Sequence, residues 1–266
     1  PTDVKVKAEE LGIEVYQPQT LRDESFLDTL KELSPDMIIV AAYGKILPEY
    51  IINYPKYGCI NVHASILPKY RGAAPIQWSI INGDTTTGVS IMRMDKGLDT
   101  GDVVAVKETP IGEYETAGEL FDRLARIGAE LMAETIDRIE NGEAIYTPQD
   151  HSKSTYAEKI TKETAVIDWA KDNKAVSKLV CGMSPFPGAV TTYKGEVVKI
   201  YETEKTDGTG SAGEILGIVK GKGLKVACGN GAVFVKTVQF AGSKRMNVED
   251  YARGHEILDG VILGEE

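Results

Sequence analysis

Asp36-Met-Ile-Ile-Val-Ala-Ala-Tyr-Gly44 and Gly58-Cys-Ile-Asn-Val-His63 are the two stretches that decide the fold class of this 266-residue chain. The first is a continuous apolar run, without the strict alternation of a strand that faces water on one side, and we interpret the second in the same way apart from its polar residues Asn61 and His63. Apolar runs of this length are typical of strands that are buried on both faces of a parallel sheet. They predict two central strands of an α/β domain, with helices covering the sheet.

Helical and strand patterns alternate around these two runs. The sequence predicts a helix over 4–11, a short strand at 14–17, a second helix after it, and further strands at 87–94 and 102–107. A long helical pattern over 116–140 ends near Asn141-Gly142, a pair that commonly stops a helix. We therefore predict a Rossmann-like parallel sheet domain over residues 1–142.

The pattern changes after Gly142. Residues 143–170 are largely polar, carry no strong period, and are predicted to be a linker that packs along the first domain. A helix is predicted over 173–181, and short strands separated by glycine turns follow at 189–193, 197–202, 213–220, 224–228 and 232–240. This spacing predicts a small antiparallel, OB-like β-barrel over residues 171–266.

Composition excludes several classes of protein. The 30 basic residues are outnumbered by 40 acidic ones, and the net charge of -10 argues against nonspecific coating of nucleic acid by the whole surface. Three widely spaced cysteines, without a CxxC pair, argue against a disulfide framework or a structural zinc site. No apolar run is long enough to cross a bilayer, and the sequence begins without a signal segment. We expect a cytoplasmic protein that does not bind membranes.

One segment departs from the acidic average. Between Glu214 and Arg245 there are six basic residues and one acid, the asymmetry that a phosphate-contacting surface would leave. A solvated surface with a lysine bias is the alternative. The six residues are Lys220, Lys222, Lys225, Lys236, Lys244 and Arg245.

Polar residues occur where the second apolar run ends. Asn61 and His63 are two residues apart, so on a strand their side chains point to the same side and can converge on one atom. On its own the pair is weak evidence, because a histidine at a strand end is more often structural than catalytic and an asparagine there more often caps a turn. A long loop from Ala64 towards Trp78 follows, and Asp99 lies in a glycine-flanked loop from which it can reach back to the histidine.

Three motifs together resemble the formyltetrahydrofolate-dependent formyltransferase family: Asn61-Val-His63, Ser65-Ile-Leu-Pro-Lys-Tyr-Arg-Gly72 and Gly97-Leu-Asp-Thr-Gly101. The resemblance continues through Pro185-Phe-Pro-Gly-Ala189 to the C-terminus. It implies 10-formyltetrahydrofolate as formyl donor, with no metal. It also implies catalytic roles for Asn61, His63 and Asp99, and folate contacts from Ser65, Ile66, Leu67 and Pro68 and from the backbone around Ile46 and Leu47.

Three further stretches of sequence resemble the branch of that family that formylates the methionine carried on initiator tRNA. They are Arg71 to Gln77, Gly83 to Met92 and Lys162 to Trp169. The resemblance implies methionyl-initiator tRNA as the acceptor, bound through the six basic residues, and we expect a monomer. Another acceptor, such as a sugar amine, a purine precursor or water, would use the same three catalytic residues.

The family pattern also has a glycine-bearing strand and a basic loop ahead of the first helix, and this sequence begins after them. The resemblance assigns that loop to the tRNA acceptor end. Loss of the strand would expose a sheet edge and weaken the folate pocket. A tRNA-binding fragment without activity is therefore a third hypothesis, from a different functional class.

Other motif interpretations are weaker. Gly208-Thr-Gly-Ser-Ala-Gly213 has the spacing of a dinucleotide-binding loop, but the pattern predicts no helix after it. Ser65 lacks the GxSxG context of an acyl-transfer nucleophile. His151 and His255 have no partners at catalytic or ligand spacing, so we expect surface or packing roles for them.

Overall fold

The computed structural model of the protein describes residues 1–265. Its first sheet is built from strands that the sequence predicts within one or two residues at most ends. They are β1 (Ile38–Ala41), β2 (Cys59–His63), β4 (Thr86–Arg93) and β5 (Val103–Pro110), in the spatial order β1-β2-β4-β5. The α/β class is confirmed, and the two apolar runs form neighbouring strands.

The direction of the strands differs in part from the expectation of a parallel sheet. β1 and β2 are parallel, with Ile39 opposite Ile60, whereas β2 with β4 and β4 with β5 are antiparallel. The reason lies in the connection between β2 and β4. Its helix, α4 (Pro75–Ile81), packs mainly against α6 (Asn173–Met183) instead of crossing the sheet, so the chain re-enters the sheet in the opposite direction.

Most helices of this first unit follow the predicted pattern, whereas the short helix at 49–52 is not predicted by the sequence. The helices are α1 (Asp3–Glu10), α2 (Leu27–Leu33), α3 (Glu49–Ile52) and α5 (Ala117–Glu140). The strand expected at 14–17 is wrong, because these residues pair with no other strand among residues 1–265 and are followed by Pro18. An extended segment without a hydrogen-bonded neighbour has no ladder to stabilise it.

Helix α5 fixes the position of β2. A capping box starts the helix, in which the Thr116 hydroxyl and the Glu119 carboxylate each accept a hydrogen bond from the other residue's backbone. Gly128 then lies directly over the sheet: a Cβ atom there would be 2.7 Å from Cγ1 of Val62. The close approach requires glycine, and it packs the half-buried side chain of Val62 against the helix.

The segment expected to be a linker does pack along the first unit. It contains a short 3-10 turn (His151–Lys153) and β6 (Tyr156–Ala157), which pairs in parallel with β3 (Arg71–Gly72). The indole N–H of Trp78 donates to the Glu158 carbonyl at 2.8 Å. The segment is thereby attached to the loop that follows β2.

The second sheet is antiparallel throughout, as predicted. Its strands are β7 (Ala189–Tyr193), β8 (Glu196–Thr206), β9 (Ile215–Val219), β10 (Gly223–Ala227), β11 (Ala232–Phe240) and β12 (Met246–Asn247), with α7 (Val248–Ala252) after them. The order is β7-β8-β11-β10-β9, and β12 pairs with β11. Within residues 1–265 the terminal strands β7 and β9 are not paired with each other. Other backbone segments cover their outer edges instead: Val190 is hydrogen-bonded to Ala165 and Ile167, and Ile215 to Gly260 and Val261. The glycine-rich stretch 208–213 lies between β8 and β9, without a helix.

The core of the second sheet extends into the predicted linker. Ala165, Ile167 and Trp169 are buried in this core, and the Trp169 indole donates to the Thr191 hydroxyl at 3.0 Å. These residues therefore belong structurally with the second sheet, although the sequence places them in the segment 143–170.

The cysteines of the chain are enclosed in its cores. Cys59, Cys181 and Cys228 are buried free thiols, and burial raises their pKa to about 11, about 11 and about 12. Among residues 1–265 no group of three or more His, Cys, Asp or Glu side chains is placed to hold a metal ion. None of the helices in this part of the chain combines the length and the apolar character needed to span a bilayer.

We predict that Gly128→Leu destabilises the protein. The added side chain must displace Val62, and overpacking of this kind typically costs about 1–3 kcal/mol. Ala133→Leu, on the exposed side of the same helix, serves as the control and should change stability by no more than about 0.5 kcal/mol. Thermal unfolding followed by circular dichroism measures both, and equal melting temperatures would contradict the packing described for α5.

Candidate active site

The alternation of side chains along β2 sets the site. Ile60 and Val62 face the core beneath α5, whereas Cys59 belongs to the separate core formed with α2 and α3. Asn61 and His63 share the face of Cys59, because successive strand residues point to opposite sides. They lie roughly 6.6 Å apart along the strand, at the end where β2 passes into a loop.

That loop is held by its own hydrogen bonds. The Ser65 hydroxyl donates to the Lys69 carbonyl at 2.6 Å, and the Ser90 hydroxyl donates to the Ser65 carbonyl at 2.7 Å. Ser90 also accepts from the Leu67 backbone N–H at 3.0 Å. Ser65 is fully buried, so its hydroxyl serves the loop and does not face a ligand as a nucleophile would.

His63 is oriented by the far end of the loop. Its Nε2 lies 2.9 Å from the Tyr70 carbonyl oxygen, and because a carbonyl only accepts, Nε2 must carry the proton. Tyr70 has a left-handed backbone, with φ at 59°, and its hydroxyl donates to Asp84 at 2.7 Å and accepts from Asn82 at 3.1 Å. Burial raises the pKa of Tyr70 to about 12, so the hydroxyl stays protonated.

Asp99 lies next to His63, as the sequence predicts. Its Oδ2 accepts from the Gly72 backbone N–H at 2.8 Å and lies 3.7 Å from Nδ1 of His63, which is longer than a hydrogen bond. Asp99 also has a left-handed backbone, with φ at 52°. The carboxylate is thus held by the loop after β2 and faces the one imidazole nitrogen that the loop leaves free.

The Asn61 amide completes the set. The hydrogen bonds of residues 1–265 leave this amide without a partner, while 9% of the residue is exposed, so the group is accessible to a ligand. An amide donor, an imidazole nitrogen and a carboxylate are therefore close together at one end of β2. Such a set can hold a developing oxyanion and transfer a proton.

The predicted folate contacts are distributed unevenly. Ile46 is 84% exposed, whereas Leu47 is buried in the core with α2 and α3. Leu67 is buried and Ile66 and Pro68 are half-buried. Ile66 lines a cleft of about 390 Å³ together with Lys69, Tyr70, Asp84, Thr85, Thr86, Thr87 and Glu108. The side chains available to a ligand here are Ile46, Ile66 and Pro68.

Two polar side chains near the site were missed by sequence reasoning. Gln149 and Arg71 are buried and hydrogen-bonded to each other, and Gln149 also contacts the backbone of Asp99. His151 is exposed, as expected, but the expectation that it has no partner is wrong, since its Nδ1 lies 3.0 Å from Nη2 of Arg71. His255 stacks on Tyr251 and is exposed, the surface role expected for it. A glutamine in a polar segment gives no sequence signal of such a contact.

The six basic residues predicted to contact tRNA lie on the second sheet and its loops, and they are not equivalent. Lys236 forms an ion pair with Glu204, so its charge is largely satisfied within the chain. Lys222 and Lys225 lie 5.6 and 6.0 Å from the centre of the Phe234 ring. The guanidinium of Arg245 lies 4.1 Å over Tyr201. Lys220, Lys222, Lys244 and Arg245 are exposed and Lys225 is half-buried.

Comparison with known proteins identifies the family. The model of the formyl transferase family matches residues 1–136, and the model of the formyl transferase C-terminal domain matches residues 159–256. The chain belongs to the formyl transferase family. It is a one-carbon group transferase with the two-part organisation of that family, and the resemblance inferred from the motifs is confirmed.

Relatives in the family are similar over the full length of the chain. The methionyl-tRNA formyltransferase of Citrifermentans bemidjiense is 44% identical over 266 residues, which cover 100% of this chain and 83% of that protein. The methionyl-tRNA formyltransferase of Alkaliphilus oremlandii is 47% identical, over 99% of this chain and 86% of that one. A crystal structure of HypX from Aquifex aeolicus in complex with tetrahydrofolic acid shares the fold, with a TM-score of 0.69 at 19% identity. The match covers 96% of this chain and 47% of HypX.

We predict that neutral His63 carries its proton on Nε2. The Tyr70 carbonyl requires a donor there, whereas Nδ1 faces the carboxylate of Asp99. Nitrogen-15 NMR of the imidazole, assigned by comparison with His63→Gln, measures the tautomer at a pH high enough for the ring to be neutral. Exposed His255 is the internal control: its Nδ1 lies 3.2 Å from the Tyr251 carbonyl oxygen, so its neutral ring should favour the opposite tautomer, protonated on Nδ1. A neutral ring protonated on Nδ1 would contradict the described orientation.

Proposed function

We propose that this formyl transferase moves the formyl group of 10-formyltetrahydrofolate onto the α-amino group of methionine carried on initiator tRNA. The proposal rests on one observation: the side chains of Asn61, His63 and Asp99 lie close together at the end of β2. Identity of 44% and 47% to methionyl-tRNA formyltransferases, across both parts of the chain, supports the choice of acceptor. The enzyme is expected to act as a monomer in the cytoplasm, where translation uses charged initiator tRNA.

The reaction exchanges one carbon–nitrogen bond for another. The uncharged amine attacks the formyl carbon, a bond forms to the amine nitrogen, and the carbonyl oxygen gains negative charge. The bond to the folate nitrogen then breaks, the amine loses a proton, and the departing nitrogen takes one up. The site must therefore stabilise an oxyanion and relay a proton.

Asn61 and His63 fit these two tasks. The Asn61 amide is accessible and unpaired within residues 1–265, and it can donate to the oxyanion. Loss of one such donor commonly costs about 3–4 kcal/mol of barrier. His63 offers an imidazole that can act as an acid or a base, a role that typically contributes about 10²-fold to 10⁴-fold. Its Nδ1 is the nitrogen available to the reacting groups, because Nε2 is occupied by Tyr70.

Asp99 has a supporting role. Its Oδ2 is 3.7 Å from Nδ1 of His63, close enough for the carboxylate to interact with the positive charge that the ring carries after it takes a proton. The Gly72 N–H fixes that oxygen in place. When the His63 ring is protonated, its two N–H groups point to the Tyr70 carbonyl oxygen and to the Asp99 carboxylate. These two oxygens keep the ring in its orientation while it carries the charge.

The folate would be bound beside this centre. Ser65, Ile66, Leu67 and Pro68 form the turn that follows His63, and Ser90 anchors its backbone from the neighbouring strand β4. The exposed side chain of Ile46, after β1, offers an apolar surface for the pterin, with Leu47 anchoring the loop in the core. We propose that the backbone of these loops, rather than the buried Ser65 hydroxyl, contacts the ligand.

The acceptor would be held by the second sheet. Lys220, Lys222, Lys225, Lys244 and Arg245 form no ion pair among residues 1–265, whereas Lys236 is neutralised by Glu204. Free cations of this kind bind phosphates and release counterions. The proposal therefore assigns the tRNA contact mainly to these five residues, with a smaller part for Lys236.

We predict that Asn61→Ala lowers kcat for formyl transfer on the order of 10²-fold to 10³-fold. The amide would contact the oxygen only as charge develops on it, so KM for folate should change little. The measurement is formyl-methionine formation from 10-formyltetrahydrofolate and charged initiator tRNA. Asn141→Ala, at an exposed position after α5, should retain the parent rate. Parent-like turnover by Asn61→Ala would contradict the role proposed for the amide.

We predict that the double variant Lys222→Ala, Lys225→Ala binds tRNA more weakly and with a shallower dependence on salt. Removal of one cation that binds a phosphate should reduce the slope of log affinity against log salt by about 0.7–0.9. Filter binding across a salt series measures this slope. The control removes two exposed charges elsewhere, Lys7→Ala with Lys31→Ala, and should leave the slope unchanged. An unchanged slope in Lys222→Ala, Lys225→Ala would contradict a phosphate contact by these two lysines.

The acceptor is tested separately from the chemistry. Folate consumption is followed with charged initiator tRNA, with an amino sugar and with no acceptor. The proposal expects deformylation of the donor only when the charged tRNA is present. Equal consumption without tRNA would favour a hydrolase, and transfer to the amino sugar would favour a small-molecule acceptor.

A further inference from the structure

Arg71 is an unusual charge beside the site. It is only 2% exposed, yet no carboxylate of residues 1–265 lies within ion-pairing distance of its guanidinium. A buried arginine normally has an acidic partner. Here Nε and Nη2 donate to Oε1 of Gln149 at 3.1 and 2.7 Å, and Nη2 lies 3.0 Å from Nδ1 of His151. Neutral acceptors from the segment after α5 therefore hold this cation.

Gln149 is fully engaged by these contacts. Its Oε1 accepts both bonds from Arg71, and its Nε2 donates to the carbonyl oxygens of Asp99 at 2.9 Å and of Gly101 at 2.7 Å. The residue is 8% exposed. Both N–H groups of the amide point at the backbone of one loop, so the side chain has no capacity left for a ligand.

The contacts close a ring around Asp99. Gln149 holds its backbone carbonyl, and Gly72 holds its carboxylate through a 2.8 Å hydrogen bond. Gly72 directly follows Arg71, which holds Gln149. The left-handed backbone of Asp99 costs free energy for a residue other than glycine. A rigid ring of hydrogen bonds maintains it.

We propose that Gln149, oriented by Arg71, is a positioning residue that holds the Asp99 carboxylate against His63. This inference rests on the proposed function for its effect on turnover, but its geometric part stands independently. Gln149 itself does not touch the reacting atoms. It acts through the backbone of the loop 97–101, and it makes the segment that connects the two parts of the chain a structural component of the site.

The test is Gln149→Glu. Glutamate retains the acceptor for Arg71, now as an ion pair, so the fold is kept. It removes both N–H donors and places a carboxylate against two carbonyl oxygens, so the Asp99 loop is released. We expect kcat for formyl transfer to fall on the order of 10- to 100-fold, because small misplacements of catalytic groups have effects of this size. KM for folate and for tRNA should stay close to the parent values.

Hydrogen–deuterium exchange provides a readout that does not depend on turnover. Exchange should become faster in the peptide covering 95–101 and at Gly72 in Gln149→Glu, and stay unchanged in α5 and in the second sheet. Gln149→Met, of similar volume and without charge, is the second variant and should act in the same direction. Gln19→Glu, at an exposed glutamine, makes the same change of charge and should match the parent in both readouts.

The outcomes separate this inference from the proposed function. A folded Gln149→Glu with parent kcat and parent exchange in 95–101 would overturn the inference while the function stands. Loss of protection spread over the whole chain, with kcat and KM changing together, would also overturn it in favour of a general structural role. If the parent itself transfers no formyl group, the proposed function fails, and local exchange in 95–101 alone decides whether Gln149 positions Asp99.

Discussion

The contact between Gly128 of α5 and Val62 of β2 is the constraint on which the site depends. It commits Val62 to the helix side of the sheet, and strand geometry then sends Asn61 and His63 to the other side. A slip of one residue would exchange the two faces and bury the polar pair under the helix. Parallel pairing with β1 and antiparallel pairing with β4 fix the register of β2 from both edges. The scaffold thus supplies two of the three proposed catalytic groups from one strand.

The third group and the orientation of the second come from loops that rigid contacts hold in place. Two residues with left-handed backbones, Tyr70 and Asp99, place oxygen atoms on either side of the His63 ring. Backbone bonds from the segment after α5 keep the first loop in position: the Arg71 N–H donates to the Thr155 carbonyl at 2.9 Å and the Ala73 N–H to the Ala157 carbonyl at 2.8 Å. The segment that connects the two parts of the chain therefore also holds the loop after β2 in place.

Much of this could be predicted from sequence where one local pattern determined the outcome. The period of α5, the apolar runs of β1 and β2, and the three motifs around Asn61, Ser65 and Asp99 are local signals, and the family they indicate is confirmed. Features that depend on distant residues were not predictable. The antiparallel direction of β4 follows from the packing of α4 on α6, and the Gln149 contacts join residues 50 and 78 positions apart. The sequence does not distinguish Lys236 from the free cations, because its partner Glu204 lies on another strand. The catalytic, folate and tRNA roles of individual residues stay predictions.

The central claim is that Asn61 and His63 act together on one formyl group, and single-turnover kinetics of both single variants and of the double variant Asn61→Ala, His63→Ala test it most directly. Residues that act as a unit give strongly non-additive losses. We predict that the double variant is little slower than the slower single variant, with charged tRNA still bound. Losses that multiply would contradict the claim, because they would show that the two side chains act in separate steps.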